Sequence, residues 1–299
     1  MRVLISGATG MVGEALFWSL RKQRNDIVRL VRSVGNVSGA DILWDPSTGA
    51  ADVAQFDGFD AVIHLAGESI ASGRWTAKKK ARIRDSRIVA TKNLSQIISG
   101  LQKPPKVFIS ASAVGYYGNR GEEALDEQSR PGTDFLAEVC KDWEAATKPA
   151  ADKGIRTVNL RFGIILSPKG GALKTMLIPF KLGMGGIIGD GKQYMSWIAL
   201  DDAVGVIEKA IADTQLTGPV NAVAPEAITN AVFTKTLGEV LLRPTLFPMP
   251  AFAARLALGE MADALLLSSA RVAPKKLIAA GYAFALPTLE GALKKLLGR

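Results

Sequence analysis

The sequence predicts an α/β protein: a Rossmann-type, doubly wound parallel sheet carrying a smaller, mainly helical C-terminal lobe. Short apolar runs alternate with amphipathic stretches over most of the chain, the pattern of repeated βαβ units. A glycine triplet, Gly7-x-x-Gly10-x-x-Gly13, stands directly between the first apolar run and the first amphipathic stretch. With 299 residues the chain can bury roughly three quarters of its unfolded surface, so a large core forms without cross-links.

Val3–Ser6 reads as the first strand and Met11–Arg24 as the first helix. Further strands are expected at Ile27–Val31, Ala61–Leu65, Lys106–Ser110, Ile155–Leu160 and Pro219–Ala222, with helices at Thr76–Leu101, Phe135–Lys153 and Leu200–Asp213. Residues 163–194 hold Gly183, Gly185, Gly186, Gly189 and Gly191. A buried strand would not carry so many, so this stretch is expected to be a loop closing over a ligand. From Thr229 onward the chain reads as helices separated by Pro244, Pro248, Pro250, Pro274 and Pro287. The expected division is a dinucleotide-binding unit at 1–228, with 163–194 as its substrate segment, and a small domain at 229–299.

The single cysteine, Cys140, rules out an intrachain disulfide and suits a reducing, cytoplasmic compartment. The single histidine, His64, rules out histidine-clustered zinc sites and leaves one imidazole for acid–base work. No apolar run approaches the roughly 18–20 residues that span a bilayer, so no membrane partner is expected. The net charge of +9 concentrates at Lys78, Lys79, Lys80, Arg82, Arg84, Arg87 and Lys92, and again at Arg271, Lys275 and Lys276. These read either as solvated helix faces or as a basic rim that attracts an anionic cofactor or substrate. No aromatic-rich stacking motif accompanies them, so nucleic acid is not an expected partner.

The triplet has a division of labour. The first glycine permits the tight turn, the second admits the pyrophosphate, and the third lets helix and strand pack closely. The helix N-terminus supplies amides and a positive dipole end. Gly7, Thr9, Gly10, Met11 and Val12 are therefore expected to touch a dinucleotide. The second strand ends at Arg32, with no carboxylate to bind a ribose 2′-hydroxyl, which points to NADP(H) over NAD(H). Leu65, Ala66, Gly67 and Glu68, at the end of the strand that holds His64, form a further cofactor segment. His64 itself lies inside an apolar run and reads as a packed core residue. Arg87 falls in phase with the stripe Ile83, Ala90, Leu94 and Ile98, so it is expected to meet either the cofactor or a structural ion pair.

With these residues placed, the chain resembles the extended short-chain dehydrogenase/reductases, and within them an atypical group of epimerase family proteins akin to nucleoside-diphosphate-sugar epimerases. The resemblance rests on Ile5-Ser-Gly-Ala-Thr-Gly-Met-Val-Gly13, Leu65-Ala-Gly-Glu68 with Arg74-Trp75, Asp85-Ser-Arg87 and Ser110-Ala-Ser-Ala-Val-Gly-Tyr-Tyr-Gly118. It continues through Asp134–Glu144, Leu160-Arg-Phe-Gly-Ile164, Gly189–Gln193, Gly218–Pro225, Leu258–Ala262 and Arg271–Lys276. It covers essentially the whole chain, sets Ser110 and Ile164 beside the cofactor, and implies a homodimer formed through the two long helices.

The superfamily also implies a Ser/Thr, Tyr and Lys catalytic set, in which a lysine four residues after the tyrosine lowers the phenol's pKa for proton exchange. Here Lys141 stands at about the expected distance, but the residue four before it is Ala137, and the helix 135–153 contains no tyrosine. Ser112 stands near the serine position, and Tyr117, or less readily Tyr116, is the substitute proton donor. Two readings follow. One is an NADP(H)-dependent oxidoreductase or epimerase acting on a small, nucleotide-linked or other, substrate; the alternative is a non-catalytic NADP(H)-binding or redox-sensing protein.

Overall fold

A computed structural model describes residues 1–33 and 41–299. Seven strands form one sheet: β1 (Arg2–Ser6), β2 (Asp26–Val31), β3 (Ile42–Leu43), β4 (Ala61–His64), β5 (Val107–Ala113), β6 (Arg156–Phe162) and β7 (Gly218–Ala222). Their order is β7-β6-β5-β4-β1-β2-β3 and every neighbouring pair is parallel. The order reverses direction at β1, so the crevice between the loops leaving β1 and β4 is where such a sheet binds ligands.

Alternation along β1 divides the two faces. Val3 and Ile5 join a core with Leu16 and Leu20 of α1 (Met11–Lys22), and with Ala203, Val206, Ile207 and Ala210 of the helix Leu200–Ala212. Leu4 faces the other way, into a core with Val62, Phe108 and with Ala90, Leu94 and Ile98 of α2 (Ala77–Ser99). Successive side chains of a strand point to opposite faces, so each face finds its own helices.

The helix expected over 135–153 is two helices, α3 (Phe135–Ala145) and α4 (Lys148–Asp152). Pro149, in the first turn of α4, has no amide to continue the preceding helix, and the Thr147 hydroxyl takes the carbonyl of Glu144 at 2.7 Å instead. The expected ligand loop at 163–194 is also corrected. It contains a short strand, Ile164–Leu166, parallel to Trp197–Ala199, and a helix, α5 (Gly171–Lys181). Its glycines bracket that helix: Gly183, Gly189 and Gly191 all have positive φ and end turns rather than line a mobile loop.

The helix Leu200–Ala212 is α6. Beyond it come α7 (Asn230–Leu241), α8 (Ala251–Leu258), α9 (Lys275–Ala279) and α10 (Leu289–Leu297). Pro250 and Pro274 sit at the N-caps of α8 and α9. A second core draws Leu173, Leu177 and Phe180 of α5 together with Trp197, with Phe233 and Leu237 of α7, and with Leu289 and Leu293 of α10. Buried Asp202 of α6 fastens the last segment by accepting the amides of Ala285 and Leu286 at 2.8 and 2.9 Å. Among the described residues no helix is long and apolar enough to cross a membrane.

Candidate cofactor and substrate site

Each glycine of the triplet has a different physical reason to be glycine. At Gly7 the φ of +74° favours no side chain, and a Cβ would stand 2.7 Å from the amide nitrogen of Ala66. At Gly13 a Cβ would stand 2.2 Å from the Gly7 carbonyl oxygen. These two positions let β1, the loop and the segment after β4 touch. Gly10 is different: its Cβ would meet only the Gly7 oxygen, at 3.3 Å, and otherwise enters open space. That space lies over the N-terminus of α1, which has no side-chain cap. A helix end left uncapped by its own chain, with a cradle in front of it, suits an anion. The loop therefore fits the pyrophosphate of a dinucleotide.

Thr9 is exposed beside this cradle, and Met11 and Val12 are half-buried. The Met11 sulfur lies 3.2 Å from where a Gly170 Cβ would stand, so the Gly170-Gly171 pair draws the start of α5 against the loop. Sequence reasoning did not single out that pair. Arg32 is exposed at the end of β2, and Leu65, Ala66 and Glu68 are half-buried after β4. The guanidinium of Arg87 lies 3.4–3.6 Å from the Gly67 Cβ position and 5.1 Å from the Trp143 ring centroid. Burial lowers its pKa, and among the described residues no carboxylate lies within salt-bridge reach of it. Glu68, the nearest acid, is taken by Lys79 at 2.7 Å, and this bond holds its carboxyl below the ordinary range. Of the two expectations for Arg87, the ion pair is not what the structure shows.

Ile164 is half-buried, and its amide donates to the Ser196 carbonyl at 2.8 Å. The Ser110 hydroxyl is fully enclosed and donates to the Ala111 carbonyl at 3.2 Å, so its side chain does not reach the cofactor space. It belongs to a buried polar row that crosses the sheet, Ser6–His64–Ser110–Asn159 in register. His64 pairs with the Ser6 hydroxyl through Nδ1, and its pKa is pushed down by burial to about 4. The unfolded chain thus binds a proton near pH 6.5 that the native imidazole refuses until about pH 4. Stability is expected to be constant above pH 7 and to fall by about 3 kcal/mol as the pH drops through this window. Urea melts between pH 7 and pH 4, compared with a His64→Leu variant, check it; an equal slope in both proteins would assign the loss to other groups.

The catalytic residues read from the sequence do not assemble as that reading required. Lys141 is exposed on α3, whose buried side is Ala137, Val139, Cys140 and Trp143. The Ser112 hydroxyl donates to Glu144 Oε1 at 2.7 Å. Tyr117 is fully buried: its hydroxyl donates to Asn221 Oδ1 at 2.7 Å and accepts from Arg161 Nη1 at 2.9 Å. Burial pushes its phenol up to about 12. Arg161 closes the network with a paired bond to Glu144, Nε to Oε1 at 2.7 Å and Nη2 to Oε2 at 2.8 Å, beneath the ring of Tyr116 at 3.5 Å. Burial opposes the Arg161 charge, but Glu144 and Tyr117 hold it protonated. Glu144, Arg161 and Asn221 were not expected here; all three stood inside resembling motifs, yet nothing local in the sequence brings them together.

The fold and the glycine cradle define a Rossmann-type nucleotide-binding protein. Residues 3–222 match the NAD dependent epimerase/dehydratase family, and the chain belongs to that family. Residues 249–296 match a domain of unknown function, DUF1731. The chain is 42% identical to an epimerase family protein of Mycobacterium bovis over 97% of this chain and 96% of that one. It is 38% identical to the epimerase family protein YfhF of Bacillus subtilis, over 99% and 98%. The crystal structure of human epimerase family protein SDR39U1 (isoform 2) with NADPH superposes over the full length of both chains with a TM-score of 0.91 at 32% identity.

Proposed function

We propose that the protein is an NADP(H)-dependent oxidoreductase or epimerase acting on a small molecule in the cytoplasm. The observation that carries this is the open space at Gly10 over the uncapped α1 N-terminus, with Arg32 at the end of β2. Gly7, Thr9, Met11 and Val12 would hold the pyrophosphate, Arg32 the 2′-phosphate, Leu65–Glu68 and Arg87 the adenosine side, and Ile164 the nicotinamide side. The structural relative bound to NADPH supports the same reading. When bound, the nicotinamide supplies or accepts a hydride. In this proposal Ser112 and Tyr117 act as positioning residues: through Glu144 and Arg161 they fix the floor of the cleft beneath Tyr116.

A guanidinium bonded to a phosphate contributes roughly 1.5–3 kcal/mol. Arg32→Ala is therefore expected to weaken NADPH about ten- to a hundredfold and NADH much less, as read by nicotinamide fluorescence. Equal weakening of both would assign Arg32 to the adenine or the fold. The engagement of Ser112 and Tyr117 and the exposure of Lys141 favour the second reading, an NADP(H)-binding redox sensor. Hydride exchange across a panel of carbonyl compounds separates the two: turnover with any of them establishes the enzyme.

A further inference from the structure

Tyr116 stands in the turn Val114–Tyr117 that leaves β5, and β5 lies between β4 and β6 in the sheet. The end of β4 leads into Leu65–Gly67, and the end of β6 leads through Gly163 to Ile164, two of the segments proposed to hold the cofactor. Tyr116 is therefore at the carboxyl edge of the sheet between them, the edge at which parallel sheets take their ligands.

The ring is fixed from beneath. Arg161, on β6, is held at two points by Glu144, and its guanidinium carbon lies 3.5 Å from the Tyr116 ring centroid. The Tyr116 carbonyl accepts the Gly132 amide at 2.9 Å, and the ring meets that of Tyr117 edge-on, centroids 5.4 Å apart. The side chain is half-buried, and among the described residues nothing hydrogen-bonds its hydroxyl. Of the four tyrosines, it alone joins this place to an unspent hydroxyl. Tyr117 is sealed between Asn221 and Arg161, and the Tyr282 hydroxyl meets Asp202 of α6 at 3.1 and 3.2 Å. Tyr194 lies on the short strand Tyr194–Met195, its ring beside Arg271 at 5.2 Å. The neighbouring proton carriers are occupied too. Glu144 is paired with Arg161, Ser112 donates to Glu144, and Cys140 is enclosed, its thiol pushed up to about 12 by burial.

We infer that Tyr116, and not Tyr117, is the catalytic acid and base of this site, acting on a substrate that is a carbonyl compound or the matching secondary alcohol. In the reducing direction the carbonyl carbon accepts hydride from the nicotinamide, its π pair moves to oxygen, and that oxygen takes the phenolic proton. The guanidinium beneath the ring offsets the negative charge left on the phenolic oxygen, which regains a proton from water. The reverse sequence oxidises the alcohol, with the same oxygen as base.

The inference rests on the proposed enzyme reading, and the two are tested by separate signals. Full-length protein is treated with tetranitromethane, which nitrates reachable phenols, and Tyr116 and Tyr117 are distinguished by the masses of peptide fragments. Tyr116 should be nitrated and Tyr117 spared. NADP+ at about a hundred times its Kd should slow nitration of Tyr116 by about tenfold or more and leave that of Tyr194 within about twofold. Tyr116→Phe keeps the ring over Arg161 and removes only the oxygen. With the fastest carbonyl compound of the panel its kcat should fall by about a hundredfold or more, while NADPH affinity stays within about twofold. Tyr194→Phe should keep kcat within about twofold of the parent. Nitration of Tyr116 that bound NADP+ does not slow overturns the inference, and so does a Tyr116→Phe kcat within about threefold of the parent. Absence of NADPH binding sinks the cofactor reading. Binding without turnover of any carbonyl sinks the enzyme reading and this role with it, whereas turnover that survives Tyr116→Phe sinks this role alone.

Discussion

Gly10→Val is expected to abolish measurable NADPH binding, a loss of about a hundredfold or more, with a melting temperature within about 2 °C of the parent. The branched side chain would fill the one part of the glycine loop that the protein leaves open, the cradle over the α1 N-terminus. The backbone there is extended, with φ of −78°, so a side chain is allowed, and its Cβ would press only the Gly7 oxygen, at 3.3 Å. Gly13→Val is the contrasting control. Its Cβ would collide with the Gly7 carbonyl, so that variant should lose the fold and the binding together. Calorimetric titration with NADPH, beside a thermal melt, reads both. Parent-like affinity in Gly10→Val would mean that the pyrophosphate lies elsewhere.

Glu144→Ala is expected to lower stability by about 3–5 kcal/mol, because it strands the buried Arg161 charge without its paired carboxylate. At about 2–4 °C per kcal/mol for a chain somewhat smaller than this one, the melting temperature should fall by roughly 10 °C. Ser112 also loses the acceptor of its hydroxyl. The partly conservative Glu144→Gln keeps the shape and one acceptor oxygen, and should recover part of the loss. The folded fraction of both variants should still bind NADPH, since the network lies under the cleft and not in the glycine loop. A melt unchanged in Glu144→Ala would show that solvent reaches Arg161 and that the pair holds nothing together.

These two sites differ in how far they could be read from the chain. The Gly10 cradle is local: strand, loop and helix are consecutive, and the spacing of three glycines states the geometry outright. The same holds for His64, whose place in an apolar run marks it as core. The Glu144–Arg161 pair is not local. Seventeen residues and a break at Pro149 separate the two, and only the packing of α3 against β5 and β6 brings their side chains together. Tyr116 and Tyr117 are neighbours in sequence, and a single short turn decides which of them is sealed inside. The glycines of 163–194 misled for a related reason, since composition counted them without showing that they punctuate a helix. β3 spans only Ile42–Leu43, too short a run for periodicity to reveal. Arg87 shows the middle case: its phase on α2 indicated a buried charge facing the site, but only the structure shows that, among the described residues, no carboxylate comes within salt-bridge reach of it.

The second core has a bearing on how the chain comes into being. Leu173 and Leu177 of α5 find much of their wall in α7 and in α10, whose Leu289 and Leu293 are synthesised well after them. The first core, by contrast, draws most of its residues from before β7 and can assemble while translation continues. A ribosome-bound intermediate would thus hold a finished glycine loop beside an α5 with a bare greasy side. The amides of Ala285 and Leu286, which Asp202 awaits on α6, must emerge before that side is covered. The glycine loop is built early in such a protein, and the second core is closed later by α7 and α10, making the interval between them the time when chaperones matter most.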